Sequence, residues 1–204
     1  MKENFTLFGA EISPFSVKVR SYLRYKKIPY KWITNQQSKE YLKHAKLPLI
    51  PLLLSSDGTS MQDSTPIIES LEKKYKDPSL YPEDSRLSFI AALIEEYADE
   101  WGNKHMFHYR WSYKADQNLA SKRLAAVNVS TLIKYIPIVS SLALDKGAQM
   151  VRNRMLPRIS FVGSSDKNKD QIESSFKRLI RLLDNHFKIF PYLFGGRPSI
   201  ADFG

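Results

Sequence analysis

The 204-residue chain predicts a small α/β domain followed by an all-helical one. Three observations carry that expectation. Residues 5–75 alternate short apolar runs with helix-period segments in the order β-α-β-α-β-β-α. A polar stretch with prolines at both ends of its core, Lys76-Asp77-Pro78-Ser79-Leu80-Tyr81-Pro82, then interrupts the pattern. Beyond it the clear periods are all helical.

Each element has its own warrant. Phe5-Thr6-Leu7-Phe8 reads as a buried strand ended by Gly9. Phe15, Val19, Tyr22 and Leu23 share one helix face, and Pro14 suits the first turn, where its missing N–H would be unpaired anyway. Ile28-Pro29 closes that helix, and Tyr30-Lys31-Trp32-Ile33 reads as the second strand. A polar helix is expected from about Ser38 to Lys46. Ile50-Pro51-Leu52-Leu53-Leu54 reads as a strand, with Pro51 near its start, a tolerated place for proline. Ser55-Ser56-Asp57-Gly58 supplies a hairpin turn, and Thr59-Ser60-Met61-Gln62 returns. Asp63-Ser64-Thr65-Pro66 starts a helix whose apolar face is Ile67, Ile68, Leu71 and Tyr75. The expected domains are 1–77 and 83–204. In the second, helical patterns run from about Glu83 to Trp101, Asp116 to Lys134 and Lys169 to Phe187. The last is the clearest, with Ile172, Phe176, Leu179, Ile180, Leu183 and Phe187 on one face.

Composition removes several functions. The chain has no cysteine, so disulfides, thiolate metal sites and cysteine nucleophiles are excluded. His105 and His108 are the one close histidine pair, and no nearby carboxylate completes a metal motif, so no metal is expected. The net charge of +10 favours anionic partners. The basic residues are spread along the chain without a helix-turn-helix, zinc-finger or RNA-recognition signature, so a solvated surface is preferred to nucleic-acid binding. No apolar run approaches the roughly 20 residues that span a bilayer, and no apolar leader follows Met1. A cytoplasmic protein without a membrane partner is expected.

Ser13-Pro14-Phe15-Ser16 has the outline of a Cys-Pro-x-Cys redox motif with serine at both sulfur positions. With the preceding strand, and with "KVR" and "IPY" after it, it resembles the thioredoxin-like N-terminal domain of the glutathione transferases. Ile50-Pro51-Leu52-Leu53 resembles that family's apolar-Pro-x-Leu strand, and Asp63-Ser64 its acidic-Ser pair at a helix start. Tyr192 to Phe203 resembles its C-terminal "GG-x-P-[ST]-x-A-D" signature. The four fragments stand in family order on both sides of the linker.

The resemblance implies a glutathione transferase of serine type that conjugates glutathione to a hydrophobic electrophile or isomerises one, with an all-helical C-terminal domain, a homodimer and glutathione as co-substrate. Ile50 would pair its backbone with the cysteinyl part of glutathione, which implies a cis Ile50–Pro51 bond. Asp63 would attract the α-ammonium, and Ser64 and the helix start would hold the adjacent carboxylate. Phe15 belongs to the same implied site. Ser13 is the candidate that stabilises the thiolate, because a donated hydroxyl and a helix N-terminus would act on one point. Its other role is a plain helix cap, and Ser16 is the alternative catalytic residue. Asp63-Ser64 likewise reads, by itself, as a cap.

Trp101, Phe107, Tyr109, Arg110 and Trp111 are the candidate electrophile pocket, with interdomain or dimer packing as the equal alternative. Without cysteine the chain cannot use mixed-disulfide chemistry, and with no tyrosine between Phe5 and Val19 a tyrosine-activated thiol is disfavoured. The other function is a non-catalytic binding or assembly protein on the same fold. Ser199-Ile200-Ala201-Asp202 resembles a capping box, and the helix it announces would extend beyond Gly204, so the helical domain is expected to be truncated.

Overall fold

The computed structural model of the chain describes residues 4–128 and 137–204. Four short strands make one sheet: β1 (Phe5–Phe8), β2 (Tyr30–Ile33), β3 (Leu52–Ser55) and β4 (Ser60–Gln62), in the spatial order β2-β1-β3-β4. β1 pairs parallel with β2 and antiparallel with β3, and β3 pairs antiparallel with β4. Parallel neighbours need a crossover, and α1 (Pro14–Tyr25) supplies it. The central strand β3 is buried at every position, which is why it reads as an unbroken apolar run rather than an alternation. Gly58, at φ 89°, makes the β3–β4 turn.

α1 buries Val19, Tyr22 and Leu23, and α3 (Ser64–Lys74) buries Ile67, Ile68 and Leu71. The polar helix α2 is shorter than expected, Lys39–His44: Ser38 caps it from outside by accepting from Tyr41 N at 3.2 Å, and the backbone turns extended at Ala45. Its Tyr41 closes a small core with Phe8, Leu52 and Leu54.

The chain forms two compact units, residues up to 95 with 197–204, and residues 96–196. The division therefore falls inside α4 (Ser85–Tyr97), not at the proline-bearing stretch. Burial explains the difference. Leu80 is 1% exposed, its N–H donates to Glu72 Oε2 at 3.0 Å, and its carbonyl accepts from Ile200 N at 3.0 Å. Glu72 also meets the Lys26 ammonium at 2.6 Å and accepts from Tyr22 OH at 2.9 Å. Burial and this carboxylate push the Tyr22 phenol far above its ordinary pKa. The segment expected to link domains is thus tied into the first unit. Ser199 and Asp202 form the expected reciprocal start, with Ser199 N donating to Asp202 Oδ2 at 2.8 Å, and one 3-10 turn follows, Ile200–Asp202. Phe203 packs on Tyr22 and Tyr25.

In the second unit the expected Glu83–Trp101 helix changes winding. α4 gives way to a π-helical turn, Ala98–Gly102, and then to α5 (Asn103–Ser112). α6 spans Lys114–Asn128, and the rest of the pattern expected to Lys134 lies outside the described residues. α7 (Pro137–Met155) was not foreshadowed by an apolar stripe. It approaches α6 through small residues: a Cβ on Gly147 would lie 3.1 Å from Ala125 Cβ. A 3-10 segment, Leu156–Val162, leads to α8, Lys169–Phe187, at the bounds its period predicts. No helix among the described residues is long and apolar enough to cross a membrane.

Candidate functional site

Sheet register brings the N-terminal candidates to one edge. Leu52 pairs with Phe8 on one side and with Gln62 on the other. Gly9 to Ser13 therefore leave the sheet beside Ile50–Pro51, which enter it, and beside Asp63–Ser64, which leave it. Two helices, α1 and α3, begin there, and neither has an acidic residue in its first turn. The partial positive charge of the α1 start is thus not offset by its own side chains, whereas the α3 start carries the Asp63 carboxylate at its cap position.

Gly9 sets the approach of the first segment. A Cβ there would lie 2.5 Å from Trp32 Cη2 and 2.8 Å from Ser16 Cβ, so only glycine lets the chain turn this close to α1. Ser13 then caps α1, with its Oγ accepting from Ser16 N at 3.3 Å. Capping engages the oxygen as acceptor and leaves the hydroxyl proton free to donate. Ser13 is half-buried, whereas Ser16 is fully buried and its Oγ has no hydrogen-bond partner among the described residues. Phe15 is half-buried. Glu11, the carboxylate nearest in sequence, is committed to Arg20, whose hydrogen bond holds its pKa below the usual range. Arg20 in turn lies 4.7 Å over the Trp32 ring.

Ile50–Pro51 is cis, as the resemblance implied, and Pro51 is buried at the mouth of β3. Asp63 adopts φ 77° and ψ 137°, a conformation that costs a non-glycine residue about 1–3 kcal/mol. Its exposed carboxylate makes no capping hydrogen bond. Ser64 is 1% exposed and its Oγ has no hydrogen-bond partner among the described residues. A plain Asp-Ser cap would use one of these groups on the α3 N–H groups. Below this helix start, Thr65 Oγ1 donates to Glu95 Oε1 at 2.7 Å, and Lys18 closes a buried ion pair with the same carboxylate. Sequence reading missed the Lys18–Glu95–Thr65 group. A lysine amid the buried positions of an amphipathic helix was its available signal.

The aromatic candidates stand in the second unit and do not share one face. Phe107 and Trp111 pack together at i, i+4, with ring centroids 6.3 Å apart, and Trp111 is 1% exposed. Tyr109 turns instead to Phe176 and stacks on Tyr113. Trp101, on the π-helical turn, is 56% exposed with the Lys104 ammonium 4.1 Å over its ring. Arg110 is half-buried, and burial lowers its pKa. His108 is engaged rather than available: its Nδ1 lies 2.7 Å from Ser164 Oγ and its Nε2 3.4 Å from Glu173 Oε1. His105 is buried, which lowers its pKa, and packs on Phe176.

Residues 7–79 match the family model described as glutathione S-transferase, N-terminal domain. This domain belongs to the glutathione S-transferase family. The likeness extends in structure over the helical part. The fold is similar to a glutathione S-transferase from Methylobacterium radiotolerans in complex with glutathione sulfonate (20% identity, 98% of this chain and 74% of that one, TM-score 0.56). It is similar to human glutathione transferase theta-2 in complex with glutathione and an unknown ligand (17% identity, 98% and 68% covered, TM-score 0.57). It is also similar to FzlA from C. crescentus (17% identity, 98% and 74% covered, TM-score 0.59). Among curated proteins nothing matches. The glutathione S-transferase fold, a thioredoxin-like sheet domain followed by helices, is therefore the architecture of this chain.

Proposed function

We propose that the chain binds glutathione at the shared edge of its sheet and joins the glutathione sulfur to a hydrophobic electrophile. The observation that carries this reading is the register Phe8–Leu52–Gln62, which gathers Ser13, Ile50–Pro51 and Asp63–Ser64 at two helix starts. Glutathione has a matching set of groups: a thiol, a peptide backbone, an α-ammonium and carboxylates. Asp63 takes the ammonium, while Ser64 and the α3 N–H groups take the neighbouring carboxylate. Phe15 flanks the thiol end, and the Ile50 backbone pairs with the cysteinyl unit.

Ser13 is the residue that acts on the sulfur. A free thiol titrates near pKa 8.5, so only a few per cent is ionised at neutral pH. The Ser13 hydroxyl donates to the thiolate while its oxygen still caps Ser16 N, and the start of α1 adds positive potential. The thiol proton passes to solvent and the sulfur lone pair forms the new S–C bond, while the attacked carbon either releases its leaving group with the bonding pair or, in an addition, shifts its π pair to the neighbouring atom, which takes a proton from solvent. Ser16, fully enclosed, supports the α1 turn instead. A homodimer is the proposed assembly.

Ser13→Ala tests the reading. A hydrogen bond to a charged group is worth about 1.5–3 kcal/mol, so the pKa of bound glutathione should rise by about one to two units. Thiolate absorbance at neutral pH then falls, by at most about tenfold for each unit of that rise. Unchanged absorbance would leave Ser13 as a cap and the chain as a glutathione-binding protein without serine activation.

A further inference from the structure

The β3–β4 ladder ends at the pair Leu52–Gln62. Beyond it backbone pairing cannot continue, because Pro51 has no N–H and Asp63 turns away at φ 77°. The Gln62 side chain continues the ladder in their place. Its Oε1 accepts from Lys46 N at 2.8 Å and Leu47 N at 3.1 Å. Its Nε2 donates to the Leu47 and Leu49 carbonyls, both at 2.8 Å. Two acceptor sites and two N–H donors are all that a carboxamide has, and one loop takes all four. The reversed amide would set N–H against N–H and carbonyl against carbonyl, so the partners fix its orientation. Ser60, two residues earlier on the same strand face, adds a bond from its Oγ to the His44 carbonyl at 3.1 Å. Tyr41 OH donates to the Leu49 carbonyl at 2.9 Å from the other side.

We propose that Gln62 is a positioning residue of the glutathione site, holding the Ile50 backbone in register with Asp63 and Ser64. This rests on the glutathione reading above. Gln62 precedes Asp63 directly, and the loop it grips ends one residue before Ile50. One side chain therefore sets the spacing between the segment that pairs with the cysteinyl unit and the segment that receives the γ-glutamyl end. No other residue type reproduces the grip. Glutamate keeps the acceptors and faces two carbonyls with a negative charge, and methionine keeps the shape and loses all four bonds.

The test is a titration of the full chain, and of its Gln62→Met and Gln62→Glu variants, with reduced glutathione, alongside hydrogen exchange of residues 45–51 without ligand. Positioning predicts a binding midpoint raised at least tenfold at full signal amplitude, with faster exchange in 45–51. A purely structural role instead lowers the amplitude, as folded protein is lost, and leaves the midpoint in place; that result overturns the proposal. Unchanged titrations of both variants overturn it too, while the glutathione reading stands. A wild-type chain that shows no binding sinks both.

Discussion

The two units of the chain hold themselves together by different means. In the first, the apolar interior is built from large side chains, among them Leu7, Phe8, Val19, Leu23, Leu52, Leu53, Ile67 and Ile68, all at 0% exposure. In the second, among the described residues, the buried apolar side chains are Trp111, Ala120, Ala125 and Ala148. α8 has the strongest amphipathic pattern of the sequence and yet no fully buried residue. A sheet covered by helices can enclose branched side chains completely, whereas helices meeting through alanine and glycine come close and enclose little. Polar groups follow the same split. The first unit seals two ion pairs inside, Lys18–Glu95 and Lys26–Glu72, besides the Arg20–Glu11 and Arg86–Asp84 pairs at its surface, whereas the second ties α5 to α8 through Glu173.

The largest expected effect comes from breaking the sealed pair. Lys18 and Glu95 have side chains 3% and 6% exposed, and Thr65 completes the group. Removing one partner strands a buried charge, which typically costs about 3–5 kcal/mol. Lys18→Met should lower urea-unfolding stability by that amount, and Lys18→Met with Glu95→Met should recover most of it. A loss below about 1 kcal/mol for the single variant would show that water reaches the pair, and the contrast between the units would fail at its polar half.

The apolar half is tested by two leucines. Leu53, enclosed in β3, should cost about 2–5 kcal/mol as Leu53→Ala. Leu182 on α8 is 59% exposed, and Leu182→Ala should fall within about 0.5 kcal/mol of the parent. A cost above about 1 kcal/mol at Leu182 would mean that the outer face of α8 is covered in solution, and sedimentation would then show the second copy.

The same contrast sets what the sequence could tell. Strands β1 and β2 and helix α8 stand at the bounds their patterns predict, because the signal lies in their own residues, short apolar runs in the strands and an apolar repeat of helical period in α8. α7 begins at a proline and contains Gly147, and it packs through small residues that leave no stripe. The site was legible as segments, Ser13, Ile50–Pro51 and Asp63–Ser64, since each has a local signature. Their meeting at one edge depends on strand register, and the grip of Gln62 on the 46–49 loop depends on a partner 13 to 16 residues away. Neither is a local property. The pattern also could not separate Trp111, which is enclosed, from Trp101, which is exposed, because both are aromatic residues on helices.

The smallest effect is the most selective. Glu173 accepts from Tyr113 OH, lies 3.4 Å from His108 Nε2, and has Lys169 and Lys177 ammonium groups at 4.0 and 3.9 Å. The Tyr113 hydrogen bond chiefly, then His108 and the two lysines, hold its carboxyl below the ordinary glutamate pKa. On acidification the unfolded chain therefore takes up this proton before the folded chain does. The contribution is complete above the unfolded value of about 4.3 and is lost as pH falls through the lower folded value. Acid titration followed by the indole N–H signals should show Trp101 and Trp111, in the second unit, shifting with this step. Glu173→Gln should flatten that shift and leave Trp32, in the first unit, titrating as before, because Trp32 answers to the separate Glu11–Arg20 pair. If Trp32 lost its response with the others, the two units would not be titrating independently. The chain would then pass through a single cooperative acid transition, and the pairs buried in the first unit would not set it apart from the second.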